Sequence, residues 1–310
     1  MSNPNFDQYL TTTLNNHRAT LIDGVFDARP LAYFLKDSES VRIMGGQQIV
    51  TPINFERNGT VGSYAGADLL DISPSPGPTA AEWDWKQHAG SIYIEGIEEA
   101  RNNGPDMIMS LLDFRMKQLK ESIVENWNDM FWADGSGNGG KDFNGLGNLV
   151  FQNATAVGNI DPTVQDQWQS KLTDLAGPIT EAAMRTKYND LSYGSSRPMV
   201  IITTQDIFEA FEDLFVTRTR YQDEQMANAG FQNISFKGIP VTFDRAAPEG
   251  TMAFLNPTYL EMVFHSETMM RPTPFDRPPD RDLRTANVLT YGEFICTSRR
   301  HQGALTGITV

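Results

Sequence analysis

The most regular feature of the chain is a stripe of apolar side chains between positions 105 and 133. Ile108, Leu112, Met116, Leu119, Ile123, Trp127 and Met130 recur at spacings of 4, 4, 3, 4, 4 and 3. The mean is close to the α-helical period, so the stripe stays on one face of a nearly straight helix. Pro105 suits the first turn, and no proline or glycine interrupts the run after it. About 29 residues at ~1.5 Å each make a rod of about 43 Å, more than twice the usual helix of ~11–12 residues. Arg115, Lys117, Lys120, Glu121, Glu125 and Asp129 fall on its wetter side. No strict heptad is sustained, which argues against a coiled-coil partner.

Upstream, residues 1–45 mix polar and apolar positions with turn formers at Gly24, Pro30 and Gly45-Gly46, and read as an extended arm with one short helix. Two strand patterns follow. Ile49, Val50, Ile53 and Phe55 mark one over 47–56, and Ser91-Ile92-Tyr93-Ile94-Glu95-Gly96-Ile97 marks the other. Between them, positions 59–85 carry Gly59, Gly62, Gly66, Pro74, Pro76, Gly77 and Pro78. From Asn58 to Trp85 there is no lysine or arginine, while Asp68, Asp71, Glu82 and Asp84 are present. A loop this long inside a compact domain is usually functional or disordered. The two strands predict a long hairpin that projects from the body. Its Leu69, Leu70, Ile72, Trp83 and Trp85 are poorly placed in water and call for a partner surface. The alternative is a surface loop folded back on its own domain.

Beyond the glycine-rich stop at 135–140, Asp161-Pro162 reads as a cap and a helix-opening proline. A helical pattern runs to Ala176, breaks at Gly177-Pro178 and resumes to about Asn189. Met199-Val200-Ile201-Ile202 reads as a buried strand, followed by a helix over 205–216. Strand patterns then appear at 234–244, 251–255, 259–265 and 286–297. Helices and strands mix without β-α-β alternation, so the class is α+β.

Composition narrows the chemistry. The 310 residues are 40% hydrophobic and 21% charged, enough for one large core or two joined ones. The opening Met-Ser-Asn-Pro-Asn lacks the basic and apolar regions of a signal peptide, and no window approaches the ~18 apolar residues of a membrane helix. Cys296 is the only cysteine, and the four histidines, His17, His88, His265 and His301, are scattered. Neither a disulfide framework nor a structural zinc site follows from that set. A net charge of −14 disfavours general binding to phosphate backbones.

Catalytic and cofactor motifs were sought in the same residues. Gly135-Ser136-Gly137-Asn138-Gly139-Gly140 has dinucleotide-motif spacing, but it follows a helix C-terminus, where the dipole has the wrong sign for phosphate. Asp134, Ser136 and Asn138, with Asp142 further on, copy part of a calcium loop. Gly145 stands where the bidentate glutamate belongs, so a glycine-rich connector is the plainer reading. His265 with Glu267 reads as a surface pair, Arg299-Arg300-His301 as a solvated basic run and Met269-Met270 as packing. No catalytic residue, metal or cofactor is expected.

The order of parts resembles the major capsid proteins of tailed bacteriophages, whose Hong Kong 97-like fold also builds bacterial encapsulin shells. The residues that carry the likeness are Phe236-Lys237-Gly238-Ile239-Pro240-Val241, then Ala247-Pro248-Glu249-Gly250-Thr251-Met252-Ala253-Phe254-Leu255. Arg197-Pro198-Met199-Val200-Ile201-Ile202, followed by a helix, is similar to the family's preceding strand–helix unit. The resemblance implies an N-terminal arm at 1–45, an extended loop with flanking strands at 46–104, and a spine helix with a peripheral-domain segment at 105–159. It further implies an axial domain at 160–280 and a C-terminal strand returning to the body at 281–310. The implied function is that of a self-assembling, non-enzymatic shell subunit, in pentamers and hexamers, enclosing a double-stranded DNA genome without sequence-specific contacts. It implies a virion protein assembled in the host cytoplasm, away from membranes, with a portal and a possible cement protein. No leading helical segment resembles a fused scaffold, so a separate scaffold protein is expected, and the loop tip lacks a lysine for cross-linking. Arg115, Lys117, Lys120, Arg271, Arg277, Arg281 and Arg284 are the candidate cations for a neighbour's Asp68 and Asp71. An encapsulin-like cellular shell is the near alternative. A soluble hydrolase or a calcium-dependent binding module is the distant one.

Overall fold

The computed structural model describes residues 29–38, 40–55, 58–73, 79–101, 105–215 and 234–310. Most of the expected arm, at 1–28, and the 74–78 stretch of the loop lie outside the described residues, as does the side chain of Ile108. In chain order the elements begin with α1 (Pro30–Asp37), β1 (Val41–Met44), β2 (Ile49–Ile53), β3 (Thr79–Trp83), β4 (Lys86–Glu95) and α2 (Gly96–Arg101). Then come α3 (Pro105–Trp132), α4 (Leu146–Leu149), β5 (Lys171–Pro178), α5 (Glu181–Leu191), β6 (Val200–Thr203) and α6 (Gln205–Phe215). The chain closes with β7 (Ile234–Phe236), β8 (Ile239–Phe243), β9 (Met252–Leu255), β10 (Leu260–His265), β11 (Arg271–Pro272), β12 (Leu283–Cys296) and β13 (Gly303–Thr309).

The α3 rod forms where the apolar stripe places it, with 28 residues. Leu112 and Met116 pack over the first sheet with Ile92 and Ala286. Ile123, Trp127 and Met130 enter the main core. One helix therefore ties two apolar clusters together. Strand β4 runs close beneath it: a Cβ on Gly90 would lie 2.5 Å from Cδ1 of Leu119. At the C-terminus, Gly147 N–H donates to Ala133 O at 3.0 Å and satisfies a terminal carbonyl. The chain doubles back there at Gly145, where a Cβ would meet the carbonyl oxygens of Met130 and Ala133 at 2.2 and 2.3 Å.

The first sheet is organised by β12, whose burial alternates along its length. Ten register pairs join it antiparallel to β4, and five join its far end to β10, which carries β1 in parallel. The second sheet has the order β5-β13-β9-β6-β8-β7. Its strands β6 and β9 are buried on both faces. Ile201, Phe254 and Val241 face α5 and α6 in one cluster, while Val200, Ile202, Ala253 and Leu255 belong to the main core. Alternation along four-residue strands thus feeds two cores at once.

Four local expectations change. The partner of the 47–56 strand is β3, which pairs Ile49 with Trp83 through Ile53 with Thr79, whereas the 91–97 pattern lies in β4 and α2. Thr-Ala-Ala-Glu-Trp carries little strand signal of its own, and only the pairing fixes it. Residues 161–176 form no α-helix, only a short 3-10 turn at Asp166–Trp168. Asp161 Oδ1 accepts from Thr163 N and Oγ1 at 2.8 and 2.7 Å, which caps a turn, and β5 follows as the edge partner of β13. The described part of the expected arm, 29–45, carries α1 and β1. Leu31 and Leu35 of α1 are fully buried, and β1 pairs with β10. The tail divides: β12 serves the first sheet and β13 the second.

Candidate assembly surfaces

The stretch 58–73 is shaped by its own side chains. Asn58 Oδ1 accepts from Thr60 N at 3.0 Å, Asp68 Oδ2 from Ala65 N at 2.9 Å, and Asp71 Oδ1 from Ser73 N at 2.9 Å. These Asx-type turns set the backbone without burying anything. The donors from Ser73 hold the Asp71 carboxyl below its ordinary range. Leu69 is 99% exposed and Ile72 92%, with Val61, Tyr64 and Leu70 also open. The loop thus presents aliphatic side chains beside the carboxylates of Asp68 and Asp71.

Trp83 and Trp85 belong to the body instead. Trp83 is buried in the main core at the base of the β2–β3 hairpin. Trp85 donates from Nε1 to Gly46 O at 3.0 Å and meets the His265 ring edge-on at 5.3 Å. Both indoles are used within the chain, because the hairpin strand β3 carries them back to the core before the loop is closed.

The candidate cations divide in the same way. Arg284 is 3% exposed and grips Glu99 through Nε and Nη2 at 3.1 and 2.9 Å; Arg277 reaches the same carboxylate at 2.8 Å. Burial lowers the pKa of Arg284. Arg115 pairs with Glu98 at 3.0 Å and lies over the Tyr93 ring. These three arginines clamp α2 between α3 and β12, so Arg284 is not offered to a neighbour. Arg281 stands beside Asp280 at 3.8 Å, while Lys117 and Arg271 are exposed and Lys120 is half-buried.

In the glycine-rich connector, Asp134 Oδ1 accepts from Ser136 N and Oγ at 2.9 and 2.6 Å, which lowers its pKa. Asn138 sits at φ 50°, and Asp142 folds against Gly137. Lys86 Nζ donates to Gly140 O. Among the described residues, no group of three or more His, Cys, Asp or Glu is placed to hold a metal. A cavity of about 490 Å³ opens beside the connector, lined by His88, Asn126, Asn138, Lys141 and Asp142 among others. His265 Nδ1 accepts from the Glu267 backbone N–H at 3.3 Å and makes no acid–base pair with its side chain.

Three polar groups, two buried and one half-buried, take on structural roles that their sequence positions do not show. Arg299, read as part of a solvated run, has no exposed surface. Glu293 is 1% exposed and accepts from Asn144 N and Phe294 N at 2.7 and 2.9 Å, fastening the connector to β12. Burial pushes its carboxyl up to about 8. His88 accepts from Trp127 Nε1 at 3.1 Å through Nδ1 and meets Asn126 Oδ1 at 2.8 Å through Nε2.

No protein-family model and no curated protein matches the sequence. Solved structures do match. The capsid asymmetric unit of cyanophage A-1(L) has a TM-score of 0.63 at 14% identity, covering 86% of this chain and 90% of that one. The capsid of a native GTA particle scores 0.58 at 11% identity, covering 89% and 90%. The holo-SrpI encapsulin complex of Synechococcus elongatus PCC 7942 scores 0.56 at 11% identity, covering 86% and 84%. At these identities it is the fold that is shared: the chain has the Hong Kong 97-like α+β fold of phage capsid and encapsulin shells over most of its length.

Proposed function

We propose that this chain is the major capsid protein of a tailed double-stranded DNA phage, a subunit whose copies close into an icosahedral head shell. In this reading α3 is the spine helix, the β5–β9 sheet with α5, α6 and β13 is the axial domain, and 58–73 is the tip of the extended loop. The observation that carries it is the bare loop: Leu69 and Ile72 are almost fully exposed, and Val61, Tyr64 and Leu70 are open beside them. An exposed aliphatic cluster is costly in water and favourable against a neighbour. Repeated around a closed lattice, many such modest contacts add through effective concentration. A scaffold protein and a portal are the partners this reading requires, with a cement protein as a further one. The subunit supplies no catalysis, and the site of assembly is the host cytoplasm.

Reversing charge at both acids tests the role of the loop. D68K/D71K should leave the far-ultraviolet dichroism and melting temperature of the subunit unchanged, because neither carboxylate touches the core, while particle yield collapses. Normal particles from the double variant would remove the loop acids from assembly. The encapsulin complex has the same fold, and a cellular shell is the alternative reading. A co-purifying enzyme cargo selects that reading, and a co-purifying portal or scaffold selects the phage.

A further inference from the structure

The turn at Tyr193 to Ser196 is closed by two backbone hydrogen bonds, Tyr193 N–H to Ser196 O at 2.9 Å and Ser196 N–H to Tyr193 O at 3.0 Å. It meets the short helical turn Arg299–His301 and the residue Tyr259. There the His301 ring stacks on Tyr259 with centroids 4.3 Å apart and planes at 16°. Tyr193 stands edge-on to the same imidazole at 6.3 Å, and the Arg300 guanidinium lies 3.8 Å over the Tyr193 ring. Ser298 Oγ holds His301 Nδ1 at 2.8 Å. Tyr193 is 60% exposed, and Met199 and Arg197 are open beside it. The result is an aromatic corner with the Arg300 guanidinium on it and the exposed Arg197 next along the chain from the Tyr193–Ser196 turn. Asp190, the nearest carboxylate along the helix before it, acts on Lys187.

Two of the other exposed cations sit among carboxylates. Lys117 has Asp113 and Glu121 one helical turn to either side. Arg281 lies between Asp280 and Asp282 and pairs with the former. The corner instead combines apolar ring faces with unneutralised positive charge. The 58–73 loop is its counterpart in chemistry, with aliphatic side chains flanked by Asp68 and Asp71 and no basic residue. Ring faces receive aliphatic groups, and Arg197 and Arg300 offer donors to carboxylates.

We propose that the corner formed by Tyr193, Tyr259, Arg300 and His301 is the seat for the 58–73 loop of a second copy of this chain. The inference rests on the shell reading and adds to it the receiving surface. Leu69 and Ile72 pack on the rings, and the loop carboxylates face the two arginines.

Cysteine pairing tests this directly. The native Cys296 is buried, and burial pushes its thiol up to about 12, so it stays inert. Two single variants, L69C and S195C, are mixed before assembly and mildly oxidised. Seating brings the two backbones within the roughly 7 Å that a disulfide allows. The expected result is a disulfide-linked dimer on a non-reducing gel from assembled particles of the mixture. Neither variant alone, nor L69C mixed with V164C, should yield it. Intact particles without the L69C–S195C dimer would overturn the seat and leave the shell reading standing. Light scattering that shows only monomers, with or without a scaffold partner, would overturn both. If a labelled single-stranded oligonucleotide binds the unassembled protein but not R300A, and no dimer forms, the corner belongs to nucleic acid and the proposal falls.

Discussion

A guanidinium with no exposed surface must find its hydrogen bonds inside the protein, and Arg299 finds three backbone carbonyls. Nε donates to Leu149 O at 2.8 Å, Nη1 to Trp168 O at 3.2 Å, and Nη2 to Gln152 O. Burial without a carboxylate partner lowers its pKa to about 10, which still leaves it charged at neutral pH. Removing it strands the three acceptors, so R299A should destabilise the subunit by about 3 kcal/mol, at the upper end for an orphaned buried polar group. A urea midpoint for R299A within error of wild type would show that water replaces the guanidinium. Two other groups, the half-buried His88 and the buried Glu293, shape the pH response. Trp127 Nε1–H donates to His88 Nδ1, so Nε2 carries the ring proton and donates to Asn126; a second proton would break the Trp127 bond. Desolvation depresses the His88 pKa, opposed by Asn126 and the charge of Asp142. The unfolded chain therefore takes up a proton first as pH falls through about 6.5, and native stability is lost below that value. Melting curves between pH 7.5 and 5 should fall more steeply for wild type than for H88Q. Glu293 works in the opposite sense. Its native pKa of about 8 lies above the unfolded value of 4.5, so its protonated form favours the fold and stability declines as pH rises between those values. E293Q should flatten that decline, and an unchanged slope would refute the assignment.

At the level of elements, α3 packs on the first sheet and enters the core to which residues of both sheets contribute. The helix lies so close to β4 that Gly90 has no room for a side chain, because a Cβ would sit 2.5 Å from Leu119. G90V should cost about 1–3 kcal/mol through overpacking, read as a lower denaturation midpoint with unchanged helix content. The rod was legible because Leu112, Met116, Ile123, Trp127 and Met130 repeat at the helical period and all five are buried. The four-residue strands β6 and β9 were legible because they are apolar throughout and buried on both faces. Strand β5 was not, since it lies at a sheet edge and its exposed positions carry no period. Its pairing with β13, more than a hundred residues away, decides its conformation. The same limit applied to polar groups. Arg299 reads as a surface cation until Leu149, Gln152 and Trp168 converge on it, and the Tyr193 corner joins residues from three distant segments. The bare acidic loop was visible from composition alone, because glycine, proline and missing basic residues need no partner to be seen.

At the scale of the molecule, a subunit of net charge −14 repels its own copies. Association must then come from local complementarity, and in the proposed reading the loop and the aromatic corner supply it. The subunit leaves apolar side chains such as Leu69 and Ile72 exposed. The decisive observation is therefore the state of the purified protein. Light scattering together with negative-stain electron microscopy of the same sample should show uniform hollow shells, or rings of five and six subunits. A compact monomer at every concentration, with or without a scaffold partner, would contradict the shell-forming account.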